Sequence, residues 1–207
     1  MEMRDRIQQK AEELFSRYGI RSVTMDEIAG QLGISKKTIY QSFEDKEELV
    51  AAVFEGHMNK SRDLCMADRD RSVNAVHEIF MALEMMEEIL ATMNPSILYD
   101  LEKYHPGVYQ KFIEFKNSFM YTSIVENLER GIKEELYRAD INVDVLARYR
   151  IANIMIAFNL DVFPKNKYKV VEVEEEILIH FLNGIVTPKG LKLLQKYIQQ
   201  RREQKQI

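Results

Sequence analysis

Residues 23–49, VTMDEIAGQLGISKKTIYQSFEDKEEL, constrain the fold more than any other stretch, because they spell three short helices with their start signals in place. Thr24 and Glu27 have the spacing of a capping box, in which a hydroxyl accepts a backbone N–H and the glutamate reaches back. Val23 and Ile28 flank them at the positions of a hydrophobic staple. Gly33, just after Leu32, supplies the backbone freedom a tight turn needs. Ser35 is placed to cap the next helix, with Ile34 and Ile39 again at staple spacing. Asp45 and Glu48 repeat the device for a third helix. Two short helices joined by a turn of three or four residues containing glycine form a helix-turn-helix, whose second helix enters the major groove of DNA.

The residues around this stretch supply it with a core. Ile7, Ala11, Leu14, Phe15 and Tyr18 recur at helical spacing and predict an amphipathic first helix that Gly19 ends. Ile28, Ala29, Leu32, Ile39 and Phe43 close a small core with that face. Ser35, Lys36, Lys37, Thr38, Tyr40, Gln41 and Ser42 are then left available on or beside the second helix. Threonine and glutamine hydrogen-bond base edges, whereas lysine, serine and tyrosine more often fix a protein on phosphates.

Charge tests this reading, because the chain as a whole carries a net −4. Residues 1–50 hold 8 Lys and Arg against 10 Asp and Glu, residues 51–188 hold 15 against 22, and residues 189–207 hold 6 against 1. Any electrostatic footprint for DNA must therefore come from where the cations sit. Lys36 and Lys37 fall in the first turn of the second helix, and Lys46 in the first turn of the third. A cation there opposes the helix dipole, at a cost of about 0.3–1 kcal/mol relative to a carboxylate. Exposed N–H groups and a lysine at a helix start do make a phosphate site, and three lysines at two adjacent starts favour that use.

The rest of the chain reads as helix. Apolar residues at helical spacing continue from Leu49 to about Leu64, and residues 72–93 form another helix around Val73, Val76, Phe80, Leu83, Met86 and Leu90. Asn94-Pro95 and His105-Pro106-Gly107 are breaks with a short helix between them. One long helix is expected over about 108–136. Residues 144–160 are apolar on nearly every face, which predicts burial on all sides. Residues 170–186 carry a wide apolar stripe, and Thr187-Pro188 opens a last helix in the N-cap and N1 arrangement. The fold class is all-α, with about nine or ten helices: an N-terminal helix-turn-helix domain at 1–48 and a helical bundle at 49–207. No uncharged apolar run is long enough to span a membrane. The N-terminus lacks the apolar core of a secretory signal. Cys65 has no second cysteine to pair with, so a cytoplasmic setting and a buried thiol are expected.

At this point the chain resembles the TetR family of one-component bacterial regulators. The match is carried by Ala11, Leu14, Phe15, Gly19, Thr24, Met25, Ile28, Ala29, Gly33, Ile34, Ser35, Thr38, Ile39, Tyr40, Phe43, Lys46, Glu47 and Leu49. The ending Tyr40-x-x-Phe43-x-x-Lys46-Glu47 separates it from a bare helix-turn-helix, and GIKEELYRAD resembles a linker seen in many members. The resemblance implies a homodimer with two DNA-binding heads and a C-terminal region for ligand binding and dimerisation. It implies that Thr24, Tyr40 and Lys46 contact phosphates and that Lys36, Lys37, Thr38 and Gln41 lie at the groove, beside Ser35. Family members often have glycine or a small residue where Lys37 stands.

The implied function is a sequence-specific DNA-binding regulator, a repressor released from its operator by a small apolar or amphipathic ligand. The alternative is a helical carrier or interaction module that no longer binds DNA, which the net −2 of the first fifty residues favours. Dimerisation also follows from physics. One recognition helix reads too little sequence, whereas two on a twofold axis read the half-sites of a palindromic operator about 34–36 Å apart. Leu146, Tyr149, Ile156, Val173, Ile177, Phe181 and Ile185 are the surfaces expected to join two subunits. A Met- and aromatic-rich middle supplies the expected pocket for the unknown effector, with Met81, Met85, Tyr99, Tyr104, Phe112, Phe115 and Phe119 as lining. Asn153, His77, His105, Asn117 and Tyr121 are polar candidates there. No cofactor is expected: the four histidines show no paired metal spacing, and no catalytic signature is present.

Overall fold

In a computed structural model describing residues 2–94 and 96–205, the start signals become helices at the expected places. The elements are α1 (Met3–Tyr18), α2 (Met25–Leu32), α3 (Lys36–Ser42), α4 (Lys46–Arg71), α5 (Ala75–Thr92), α6 (Ile97–Tyr104) and α7 (Pro106–Phe115). A π-helical turn, Lys116–Met120, leads into α8 (Tyr121–Lys133), followed by α9 (Val143–Ile156), α10 (Val170–Ile185) and α11 (Pro188–Gln204). The protein is all-α, and the extended pairing among the described residues is one antiparallel bridge between Tyr137 and Val186. No helix is long and apolar enough to cross a membrane among those residues. The single helix expected over 108–136 is instead α7, the π turn and α8. Neither proline nor glycine stands at 116–120, so nothing in the sequence announces the wide turn.

The chain forms two compact units. The first takes residues up to Asp63 together with Ile89–Phe115, and the second takes Leu64–Glu88 with the chain from Lys116 onward. The expected division after residue 48 falls inside α4. In the first unit Ile7, Ala11, Leu14 and Phe15 of α1 meet Ile28 and Ala29 of α2, Ile39 of α3, Phe43, and Leu49, Val50 and Val53 of α4. Ile97, Leu101 and Val108, from α6 and α7, belong to this same core. Tyr18 lies outside it and is exposed, since Gly19 turns the chain away at that point.

In the second unit the core is built from Val76, Phe80 and Leu83 of α5, Leu128 of α8, and Leu178, Phe181, Leu182 and Ile185 of α10, closed by Leu194 of α11. The segment GIKEELYRAD ends α8 here. Glu135 takes a left-handed φ of 59°, and the N–H groups of Leu136 and Tyr137 both return to the Gly131 carbonyl, at 2.8 and 3.0 Å. Tyr137 is fully buried against Gly131, its phenol donating to Asn127 at 3.2 Å, while Asn127 donates to the Ala75 carbonyl at 3.0 Å. Thr187 caps α11, accepting from the Gly190 N–H at 3.1 Å, and its hydroxyl donates to the Glu135 carbonyl at 2.8 Å. Residues 144–160 are not buried on all sides: Val145, Tyr149, Ile156 and Leu160 are exposed along one stripe of α9 and its continuation.

Two outcomes are expected. A methyl group at Gly131 would overlap the ring of Tyr137, which has no room to withdraw. Gly131→Ala should therefore cost about 1–3 kcal/mol of stability, read by chemical unfolding of the second unit. Cys65 is half-buried with its Sγ 4.0 Å from the Met85 Sδ, and burial pushes its thiol up to about 11. Its reaction with a thiol reagent at pH 8 should be much slower in the folded protein than in denaturant; equal rates would contradict the burial.

Candidate nucleic-acid interface

The geometry of α2 and α3 follows from their caps. The Thr24 hydroxyl accepts from the Glu27 N–H at 3.1 Å to start α2. Gly33, at φ 65° and ψ 30°, ends it in the left-handed conformation, and the Ile34 N–H reaches back to the Ala29 carbonyl at 3.0 Å. Ser35 then starts α3, accepting from the Thr38 N–H at 3.1 Å and sharing a hydrogen bond with the Thr38 hydroxyl at 2.8 Å. A cap of this kind stabilises a helix start by about 1 kcal/mol. Ile39 is completely buried, which fixes the roll of α3 and leaves Ser35, Lys36, Lys37, Tyr40 and Gln41 exposed and Thr38 half-exposed.

The three lysines differ. The Lys36 ammonium pairs with Asp26 at 2.9 Å; that hydrogen bond, with Asp26's charge, raises its pKa, and it lies 6.0 Å from the Tyr40 ring centroid. Such an exposed pair contributes about 0–1 kcal/mol, so a phosphate exchanges for Asp26 at little cost. Lys37 is exposed, and no carboxylate among the described residues pairs with it. Lys46 is half-buried and donates to the Ile20 carbonyl at 2.6 Å, joining α4 to the α1–α2 turn. Burial lowers its pKa, opposed by the charge of Asp100. Sequence pattern places Lys46 at a helix start but not the carbonyl it reaches.

Other residues that position α3 come from outside the motif. The Arg4 guanidinium donates to the Ser42 carbonyl at the end of α3 and to Glu48 at 2.8 Å, and lies 4.0 Å over the Phe43 ring. Glu48 also accepts from the Glu44 N–H at 2.7 Å; that bond, then Arg4, holds its carboxyl below the usual range. Asp100, buried on α6, accepts from the Arg21 N–H at 3.2 Å. His105, buried between α6 and α7, meets the Glu47 carboxylate through Nδ1, so it braces the head rather than lining a pocket. The sequence signal for Arg4 was its place one turn before the apolar face of α1. For Asp100 and His105 there was none, because their partners lie 79 and 58 residues away.

The remaining candidates divide. Of the expected pocket residues, Tyr99, Tyr104, Phe112 and Phe115 belong to the first unit, with Tyr99 and Tyr104 exposed. Met81, Met85, Phe119 and Asn153 belong to the second unit and are half-buried. The second unit has an open groove of about 590 Å³ lined by Lys116, Asn117, Tyr121, Arg148, Ile151 and Met155 among others. A second groove, of about 520 Å³, includes Met81. Of the expected interface residues, Val173, Phe181 and Ile185 are buried inside the protomer, because α10 turns its wide stripe onto its own unit. Leu146 and Ile177 are half-buried, while Tyr149 and Ile156 remain exposed. Between α9 and α10 the Arg150 guanidinium pairs with Glu174 out of solvent.

Known proteins share this architecture. Residues 7–53 match the model of bacterial regulatory proteins of the tetR family, the span that forms the core of α1–α4. A helix-turn-helix transcriptional regulator of Bacillus subtilis, YvaF, is 27% identical over 79% of this chain and 86% of its own. The crystal structure of a TetR-family regulator from Marinobacter aquaeolei superposes with a TM-score of 0.73, at 21% identity, covering 95% of this chain and 99% of that one. Thermus thermophilus FadR, a transcriptional repressor solved with lauroyl-CoA, superposes with a TM-score of 0.59 at 19% identity, covering 87% and 94%. The capped helix-turn-helix, its core and these likenesses agree: the chain belongs to the TetR family of bacterial transcriptional regulators.

Proposed function

We propose that this regulator is a repressor that binds a palindromic operator as a homodimer and leaves it when a small apolar or amphipathic molecule occupies the second unit. The observation that carries the DNA-binding half is the exposed row on a capped α3 of fixed roll: Ser35, Lys36, Lys37, Tyr40 and Gln41 around the buried Ile39. Lys37, Thr38 and Gln41 are assigned to the groove, and Thr24, Ser35, Lys36 and Tyr40 to phosphates. Lys46 uses one of its three ammonium protons on Ile20 and keeps two for a phosphate. In this role it also holds the turn that carries Thr24.

The exposed stripe Val145, Tyr149 and Ile156 supports a twofold contact through α9, with Leu146 and Ile177 at its margin. A continuous apolar stripe on a helix calls for a partner surface. The lauroyl-CoA bound by the Thermus protein supports an effector with an apolar part. Met81, Met85, Phe119 and Asn153 are the candidates to meet it. Effector and operator then weaken each other's binding by the same factor.

Duplexes retained by the protein from a random pool provide the test. Lys37→Ala should lower affinity and flatten the dependence of log K on log salt by about 0.9 for each phosphate the lysine neutralises. Lys46→Ala should do the same and also lower the stability of the first unit. An unchanged slope for either variant removes it from the phosphate contacts. Tyr149→Glu should convert a dimer to a monomer in native mass spectrometry; a dimer that persists would place the twofold elsewhere.

A further inference from the structure

The first unit handles its exposed cations in two ways. Arg4, Lys10, Lys36 and Lys111 each pair with a carboxylate: Glu48, Glu13, Asp26 and Glu55. Arg17, Arg21 and Lys103 do not pair with one among the described residues, and lie on tyrosine rings instead. The Arg17 guanidinium is 5.1 Å from the Tyr18 centroid, and Arg21 is 5.2 Å from that of Tyr104. The Lys103 ammonium is 5.3 and 5.6 Å from the Tyr99 and Tyr104 rings. It also donates to the Tyr99 hydroxyl at 2.8 Å, a bond that holds its pKa up. Tyr18, Tyr99 and Tyr104 are 48, 53 and 38% exposed, a costly arrangement for three aromatic side chains in water.

A ring face orients a cation without neutralising it, whereas a carboxylate does both. The charge of this patch is therefore left for an anion from outside. The Tyr99 oxygen accepts from Lys103, so its own O–H proton is free to donate to such an anion. The nearest acid in the sequence, Asp100, is buried and receives the Arg21 N–H. The patch is also continuous with the row assigned to phosphates: Arg21 stands three residues before the cap Thr24, and its neighbour Ile20 carries the carbonyl that Lys46 holds.

We propose that Arg17, Arg21 and Lys103, carried on Tyr18, Tyr99 and Tyr104, form a second phosphate-contact surface on each head that grips the duplex beyond the bases read by α3. This rests on the DNA-binding reading above and extends it to the flanks of the operator. Tyr99 and Tyr104, expected from sequence in an effector pocket, act here as platforms for cations. The arrangement gives a head of net negative sequence charge a local positive edge, and it contributes affinity without base specificity.

The test uses duplexes that the wild-type chain recovers from a random pool, each compared with a version shortened to its consensus alone. Wild type should lose affinity on shortening, by about fivefold at 0.15 M salt for each phosphate placed out of reach. The double variant Arg21→Gln/Lys103→Gln keeps the Arg21 N–H and its bond to Asp100, and its thermal midpoint checks that the head is intact. It should bind the long duplex as weakly as the short one, with a flatter salt dependence, and bind the short one as wild type does. A variant that keeps the wild-type ratio of long to short overturns the proposal and leaves DNA binding untouched. A wild type that recovers no duplex overturns the DNA-binding reading and this surface with it.

Discussion

The constraint on which the rest depends is that the helix-turn-helix does not own its core. Ile28, Ile39, Phe43 and Leu49 are buried together with Ile97, Leu101 and Val108, which the chain delivers only after a long excursion through the second unit. Burying an aliphatic side chain of this size is worth about 1.5–3 kcal/mol, so α6 and α7 are as necessary to the head as its own helices. Polar contacts reinforce the same arrangement. Asp100 receives the Arg21 N–H, His105 meets Glu47, and Lys46 holds Ile20. A displacement of α6 or α7 is therefore a displacement within the unit that presents α3, because close-packed interiors transmit small shifts rather than absorb them.

Electrostatics is organised by position rather than by quantity. The first fifty residues carry more acids than bases. Several of those acids are consumed by local structure: Glu48 on Glu44 and Arg4, Glu47 on His105, Asp26 on Lys36. What is presented outward is thus more positive than the count suggests. Net charge informs solubility and steering, but a contact is decided by which charges are already paired.

The helix-turn-helix was legible because its determinants are local. A cap, a left-handed glycine and a staple each act over a few residues, and Thr24, Gly33 and Ser35 take the roles their spacing announces. The all-α class was legible for the same reason, through apolar periodicity. What escaped was whatever depends on distant partners. Tyr99 and Tyr104 look like pocket aromatics in sequence, yet they lie exposed under cations. Val173, Phe181 and Ile185 have the stripe of an interface, yet their own unit consumes it. Periodicity says that a face is buried and not what buries it. The π turn at Lys116–Met120 escaped because no glycine or proline marks it.

Arg4 carries a consequence of a different kind. From the first turn of α1 it ties down the far end of α3, through the Ser42 carbonyl, and the start of α4, through Glu48. The recognition helix is thereby fastened at its trailing end by a residue that precedes the whole motif. Anything fused in front of Met3 would emerge next to that fastening. A tag there would crowd the DNA-reading side of the molecule, so handles for capture or labelling belong at the other end, after α11.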